Sequence, residues 1–249
     1  MIGTTADGYN EVRCADLVAV RPIVFLAFGQ SIASNYNQTT HTPLHTAYTI
    51  DQGRCFEARD PMRGADSNRG SMWSFLADAL PVDAMPYTAF VTIGVGGSSI
   101  AQWDVGGSLN PRLTSAVQAT RNAGFEFSYV LWHQGSADRG STVEAYQARF
   151  RSMIRSVAPY GLLPGSAPGQ TKVLIAVHTR CGSEQDMTLA MAQRGLVDPP
   201  NGFFAGADTD TLGPSVRFDG CHLATSGQMM AADLWRQRIE SAAAYPSPR

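Results

Sequence analysis

Lysine is nearly missing from this chain: Lys172 is the only one in 249 residues, and arginine supplies the other basic side chains. Such a bias reflects genome composition rather than a function. With 19 basic against 21 acidic residues the formal net charge is −2, so the basic footprint of a nucleic-acid binder is absent. No apolar run approaches the roughly 20 residues of a membrane-spanning helix. Metal-type CxxC spacing is lacking too, because Cys14, Cys55, Cys181 and Cys221 stand far apart. The first eight residues have neither a basic start nor an apolar stretch, so no signal peptide is expected within this chain. No internal repeat or low-complexity segment interrupts the pattern.

What is present suits a large soluble-type core: 44% of the residues are hydrophobic, enough for one large domain or at most two. We expect a single domain over 1–249, with 1–20 as an N-terminal arm packed on it. Four cysteines allow three pairings. Cys181 with Cys221, both near predicted sheet ends, and Cys14 with Cys55 form the favoured set; four reduced, partly buried thiols are the alternative.

The chain is organised around Ile23-Val24-Phe25-Leu26-Ala27-Phe28, which runs into Gly29-Gln30-Ser31. Six branched and aromatic residues closed by a glycine read as a buried strand that stops and turns, leaving a serine at its carboxyl end. Further strands are predicted over 89–95, 127–132, 172–178 and 203–207. Helices are predicted over 70–80, 111–121, 185–194 and 226–241. Ser141 and Glu144 have capping-box spacing before a stripe of Val143, Tyr146, Phe150, Met153, Ile154 and Val157. Residues 32–67 read as a long irregular loop, of the kind that rims a site. Strands alternating with helices argue an α/β fold: a parallel sheet with helices on both faces.

In such sheets ligands sit at the carboxyl ends of the strands. A serine hydroxyl there becomes a useful nucleophile only beside a base that takes its proton. His222 supplies that base, and Asp219, three residues earlier, is spaced to bond the far imidazole nitrogen. The oxyanion formed when Ser31 attacks a carbonyl needs preorganised donors. Three candidates end different strands: the backbone N–H of Ser31, the N–H of Gly97 or its neighbour Gly96, and the Gln134 side-chain amide.

Gly29-Gln30-Ser31, Gly96-Gly97-Ser98-Ser99-Ile100 with Trp103, Trp132-His133-Gln134-Gly135 with Asp138, and Asp219-x-x-His222-Leu223 together resemble the sialate O-acetylesterase-like family. That family belongs to the SGNH hydrolase superfamily and includes acetylxylan esterases of carbohydrate esterase family six. The resemblance implies a flavodoxin-like three-layer α/β/α sandwich. It implies Ser31, His222 and Asp219 as catalytic residues, with Ser31, Gly97 and Gln134 forming the oxyanion hole. Gln30, Gly96, Ser98 and Asp138 take supporting or substrate-binding roles, with Asp138 bracing the Gln134 loop. The implied activity is removal of acetyl groups from carbohydrate hydroxyls, with no cofactor and no metal. Two positions depart from the family pattern: Ile32 replaces an asparagine directly after the serine, and Ser136 replaces a glutamate.

Other readings stand beside this one. A catalytically weak carbohydrate-binding domain of the same fold and a short-chain lipid or thioester esterase are the alternatives. By strand alternation His133 points away from Gln134 and reads as structural. His178 stands at a strand end, His41 and His45 lie in the long loop, and Trp103 and Trp132 read as core. The resemblance implies an acetylated carbohydrate as partner, and neither nucleic acid nor a membrane span is expected. Cysteine usage and polymeric substrates point to a secreted or periplasmic location.

Overall fold

The computed structural model describes residues 3–167 and 169–246; Met1 and Ile2 of the N-terminal arm lie outside the described residues. Chain order runs β1 (Gly3–Thr4), β2 (Asn10–Val12), α1 (Cys14–Ala19), β3 (Ile23–Gly29), β4 (Ala47–Asp51), β5 (Arg54–Glu57), α2 (Trp73–Ala79) and β6 (Thr88–Thr92). It continues with α3 (Ile100–Trp103), α4 (Asn110–Asn122), β7 (Tyr129–His133), α5 (Val143–Arg155), β8 (Lys172–Val177), α6 (Met187–Arg194), β9 (Phe203–Asp208) and α7 (Thr225–Ala243).

These strands form one sheet in the order β1-β2-β5-β4-β6-β3-β7-β8-β9. From β4 to β9 every neighbouring pair is parallel, so all six strands end on one edge. Side chains alternate across a strand, and β3 shows the result. Val24, Leu26 and Phe28 join one core with Trp103, Val117, Phe150 and Leu189 of α3 to α6. Phe25 and Ala27 join the other, with Trp73 of α2 and Trp235 of α7. The product is the expected three-layer α/β/α sandwich. Trp103 and Trp132 are fully buried core residues, packed edge-on against Phe28 at 5.2 and 4.8 Å.

The antiparallel end of the sheet differs from the sequence reading. Within the stretch read as irregular, β4 and β5 form a hairpin whose turn residues Gln52 and Gly53 both have positive φ, 49° and 76°. That is the primed turn geometry favoured in two-residue hairpins. The arm is also ordered: β1 and β2 extend the same edge, and α1 is joined to β5 by the Cys14–Cys55 disulfide. A second disulfide joins Cys181 to Cys221, so the favoured pairing is the one observed. The cap of α5 shifts by one residue from the reading: Thr142, not Ser141, accepts the Ala145 N–H.

Candidate active site

Ser31 opens a short 3-10 turn directly after β3. β3 can end there because Gly29 has φ +143°, and a Cβ at this position would collide with the His133 carbonyl oxygen of β7. Gln30 then ties the two strand ends together. Its Oε1 accepts the N–H groups of Gly135 (2.8 Å) and Ala137 (3.2 Å), and its Nε2 donates to Ser136 Oγ (2.7 Å). The hydroxyl of Ser136 thus holds the buried Gln30 amide in place and lies 3.4 Å from His178 Nε2.

The loop after β6 is fastened to the same strand end. Val95 N–H and the Ser98 hydroxyl both reach the Gly29 carbonyl, each at 3.1 Å, and Trp103 Nε1 donates to Ser98 Oγ at 2.8 Å. Ser98 is therefore a structural tie. The two glycines before it separate in role. Gly96 donates its N–H to Asp66 Oδ2 at 3.1 Å, whereas the N–H of Gly97 has no acceptor among the described residues. Gly97 has φ +65° with open space where a Cβ would stand, so backbone strain rather than crowding favours glycine there.

Gln134 departs from its expected role as an oxyanion donor. Its amide hydrogens go to the Ser98 carbonyl (3.1 Å) and to Asp138 Oδ2, and its Oε1 accepts the Tyr146 hydroxyl at 3.0 Å. An amide nitrogen has two hydrogens, so this fully buried side chain is committed inside the protein. The open backbone donors are the N–H groups of Ser31 and Gly97, neither of which has an acceptor among the described residues. Asp138 receives Gln134 Nε2 and the Ile100 N–H, the latter at 2.7 Å. Burial pushes its carboxyl above the usual range despite those bonds.

His222 and Asp219 sit on a tight hairpin that leads into α7. Arg217 bridges Leu223 in antiparallel fashion, and Phe218 N–H donates to the His222 carbonyl at 3.0 Å. His222 Nδ1 lies 2.7 Å from Asp219 Oδ2, while Asp219 Oδ1 accepts the N–H groups of His222 (2.7 Å) and Cys221 (2.9 Å). Burial would raise the Asp219 carboxyl; its bonds to the His222 ring and to these two backbone groups outweigh that and hold it below the usual range. The other ring nitrogen, Nε2, is shielded from solvent and has no partner among the described residues. A steadied imidazole with an open Nε2 is ready to accept a proton.

Asn37 joins this hairpin to the serine loop. Its Nδ2 donates to the Ile32 carbonyl at 3.1 Å and its Oδ1 accepts the Leu223 N–H at 3.0 Å, linking the residues that follow Ser31 and His222. Gln38 N–H also bonds the Leu223 carbonyl at 2.9 Å. Ile32 itself is buried among the α2–α7 core residues, so an apolar plug occupies the position directly after the serine. The hairpin is clamped from its far side as well. Cys221 is disulfide-bonded to Cys181, and Gly182 N–H reaches the Gly220 carbonyl at 2.9 Å. The buried Arg217 guanidinium donates to the carbonyls of Thr209 (2.9 Å) and Cys221.

The remaining histidines fall away from this arrangement. His133 faces Trp235 of α7 and lies 2.9 Å from Thr209 Oγ1, on the side opposite Gln134, as alternation predicts. His178 is equally buried, and desolvation keeps both rings neutral, well below the usual histidine range. His41 is paired with Asp78 of α2 at 2.6 Å and stacks on Phe75; the His45 N–H bonds Asp78 too. Sequence reasoning missed Asn37, Arg217 and Asp66, none of which a local motif marks.

An α/β/α sandwich carries these residues along the carboxyl edge of its parallel strands, and the chain is a carboxylic ester hydrolase. More narrowly, the family model described as carbohydrate esterase, sialic acid-specific acetylesterase (SASA) matches residues 23–236, and the chain belongs to that family. Among solved structures it is similar to a protein from Arabidopsis thaliana at 18% identity, covering 89% of this chain and 98% of that one with a TM-score of 0.70. A carbohydrate acetylesterase from Xanthomonas citri matches at 14% identity over 89% of this chain and 56% of its own, TM-score 0.57. A carbohydrate acetylesterase family member from Sinorhizobium meliloti matches at 17% over 90% and 100%, TM-score 0.54. At these identities the likeness establishes the fold. No curated protein matches the chain.

Proposed function

We propose that the protein removes O-acetyl groups from carbohydrate through an acetyl-serine intermediate, the whole chain acting as one catalytic domain. The observation that carries this reading is the state of His222: Nδ1 is bonded to Asp219 at 2.7 Å while Nε2 has no partner among the described residues, on a hairpin tied by Asn37 to the serine loop. Ser31 Oγ attacks the acetyl carbonyl as His222 Nε2 accepts its proton. Asp219 fixes the imidazole tautomer and offsets the positive charge that forms on the ring. The N–H groups of Ser31 and Gly97 receive the oxyanion. His222 returns the proton to the leaving sugar oxygen, and water then cleaves the acetyl ester by the same sequence in reverse roles.

Acetylated xylan, sialic acid and other acetylated polysaccharides all present the bond this chemistry needs. Two disulfides suit an oxidising compartment, secreted or periplasmic, and no helix among the described residues is long and apolar enough to cross a membrane. Acetate release from a panel of acetylated glycans, with p-nitrophenyl acetate as general probe, tests the reading. Ser31→Ala should fold normally and release no acetate above background; full turnover by that variant would overturn it.

A further inference from the structure

Tyr36 touches both halves of the site described above. Its ring lies against the His222 imidazole with centroids 5.5 Å apart and planes inclined by 22°. Its hydroxyl donates to Asp66 Oδ2 at 2.8 Å, and that same oxygen accepts the Gly96 N–H at 3.1 Å. Asp66 is fixed further by the Ser67 N–H on Oδ1 at 2.8 Å and, through its backbone, by the Ser34 hydroxyl at 2.6 Å and the Asn35 N–H at 3.0 Å. The Tyr36 ring also packs so closely on Gly96 that a Cβ there would collide with its hydroxyl oxygen. Its hydrogen bond is the largest influence holding the Asp66 carboxyl below the usual range, so the carboxylate that fixes Gly96 depends on the tyrosine.

We propose that Tyr36 is a positioning residue that couples the base to the oxyanion loop: its ring backs the His222 imidazole, and its hydroxyl, through Asp66, sets the turn that aims the Gly97 N–H. The proposal rests on the reading of Ser31 and His222 given above. Asp66 holds Gly96 by the amide adjacent to Gly97, so a shift of that carboxylate rotates the peptide plane carrying the open donor. The charged carboxylate makes stronger bonds than a neutral acceptor would, and a flat ring behind the imidazole restricts its rotation without occupying either nitrogen. Neither contact requires Tyr36 to touch the reacting atoms.

The test compares p-nitrophenyl acetate with its thionoacetate analogue, whose sulfur accepts hydrogen bonds weakly, so the ratio of kcat/KM between them reports on the oxyanion donors. Tyr36→Phe should lower kcat on the acetate by about tenfold, less than the loss of a whole oxyanion donor. KM should stay within about twofold and the ester-to-thionoester ratio should fall by a similar factor to kcat. Asp66→Asn should do the same, and the double variant should be no worse than the poorer single one, as for residues acting in one network. Tyr36→Leu, which also removes the ring behind His222, should lose more. Melting temperatures confirm folding, and if Tyr36→Phe does not fold, Asp66→Asn carries the test alone. A wild-type ratio in the folded variants, whether or not both rates fall together, would overturn the proposal. Ser31→Ala is run alongside: if it retains turnover, the serine reading itself fails, whereas an inactive Ser31→Ala with a wild-type ratio in Tyr36→Phe sinks only the coupling.

Discussion

The two disulfides close loops of nearly the same length, with sequence separations of 41 and 40 residues, yet they hold very different things. Cys14–Cys55 ties α1 to β5 in the antiparallel end of the sheet, among strands that contribute nothing to the carboxyl edge bearing Ser31. Cys181–Cys221 ties the loop after β8 to the hairpin that carries Asp219 and His222. Chain-entropy arguments give each about 4 kcal/mol of stabilisation from its loop length. Equal loop closure therefore serves the fold at one end and the geometry of the site at the other.

The largest effect on activity should come from within the clamped hairpin. His222→Ala should lower kcat by about a thousandfold or more while leaving the melting temperature near wild type, and Asp219→Asn by a comparable order, both read with p-nitrophenyl acetate. Opening the clamp should come next. The Cys181→Ser, Cys221→Ser pair should lose roughly tenfold in kcat, because Asn37 and Arg217 still hold the hairpin from its other sides. The Cys14→Ser, Cys55→Ser pair should show a similar loss in denaturant stability with kcat within about twofold. If both pairs lose activity equally, the division of labour between the staples is wrong.

A third region should change stability alone. Asp60, 7% exposed, accepts bonds from Ser71, Ser74 and the His41 N–H, and burial pushes its carboxyl up to about 6. A carboxyl whose folded value exceeds its unfolded one contributes stability that is full at low pH and lost as pH rises toward 6. Between pH 5 and 7.5 this group should remove about 1 kcal/mol of unfolding free energy. Urea titrations at the two pH values should show that loss in the wild type and its absence in Asp60→Asn, with kcat of the variant matching wild type at each pH.

Much of this was legible because strand and site share one grammar. The apolar run from Ile23 to Phe28 names its own strand, and each strand end then offers its residue at a predictable edge. His222 and Asp219 were readable because their partnership is local, three residues apart. The β4–β5 hairpin was not, because Gln52-Gly53 is a weaker turn signal than asparagine-glycine and the flanking alternation is short. Gln134 was misjudged for a different reason. Its amide hydrogens are claimed by Ser98 and Asp138, and competition of that kind is decided only when three loops meet. Gly96 and Gly97 look interchangeable in sequence; Asp66, 30 residues upstream, separates them.

The most direct test is to find the acetyl group. After rapid acid quenching of enzyme turning over p-nitrophenyl acetate, peptide mass spectrometry should place one acetyl on Ser31. The label should disappear in Ser31→Ala together with turnover. Acetate release without any acetyl on Ser31, or a label on another residue in an active Ser31→Ala variant, would contradict the account.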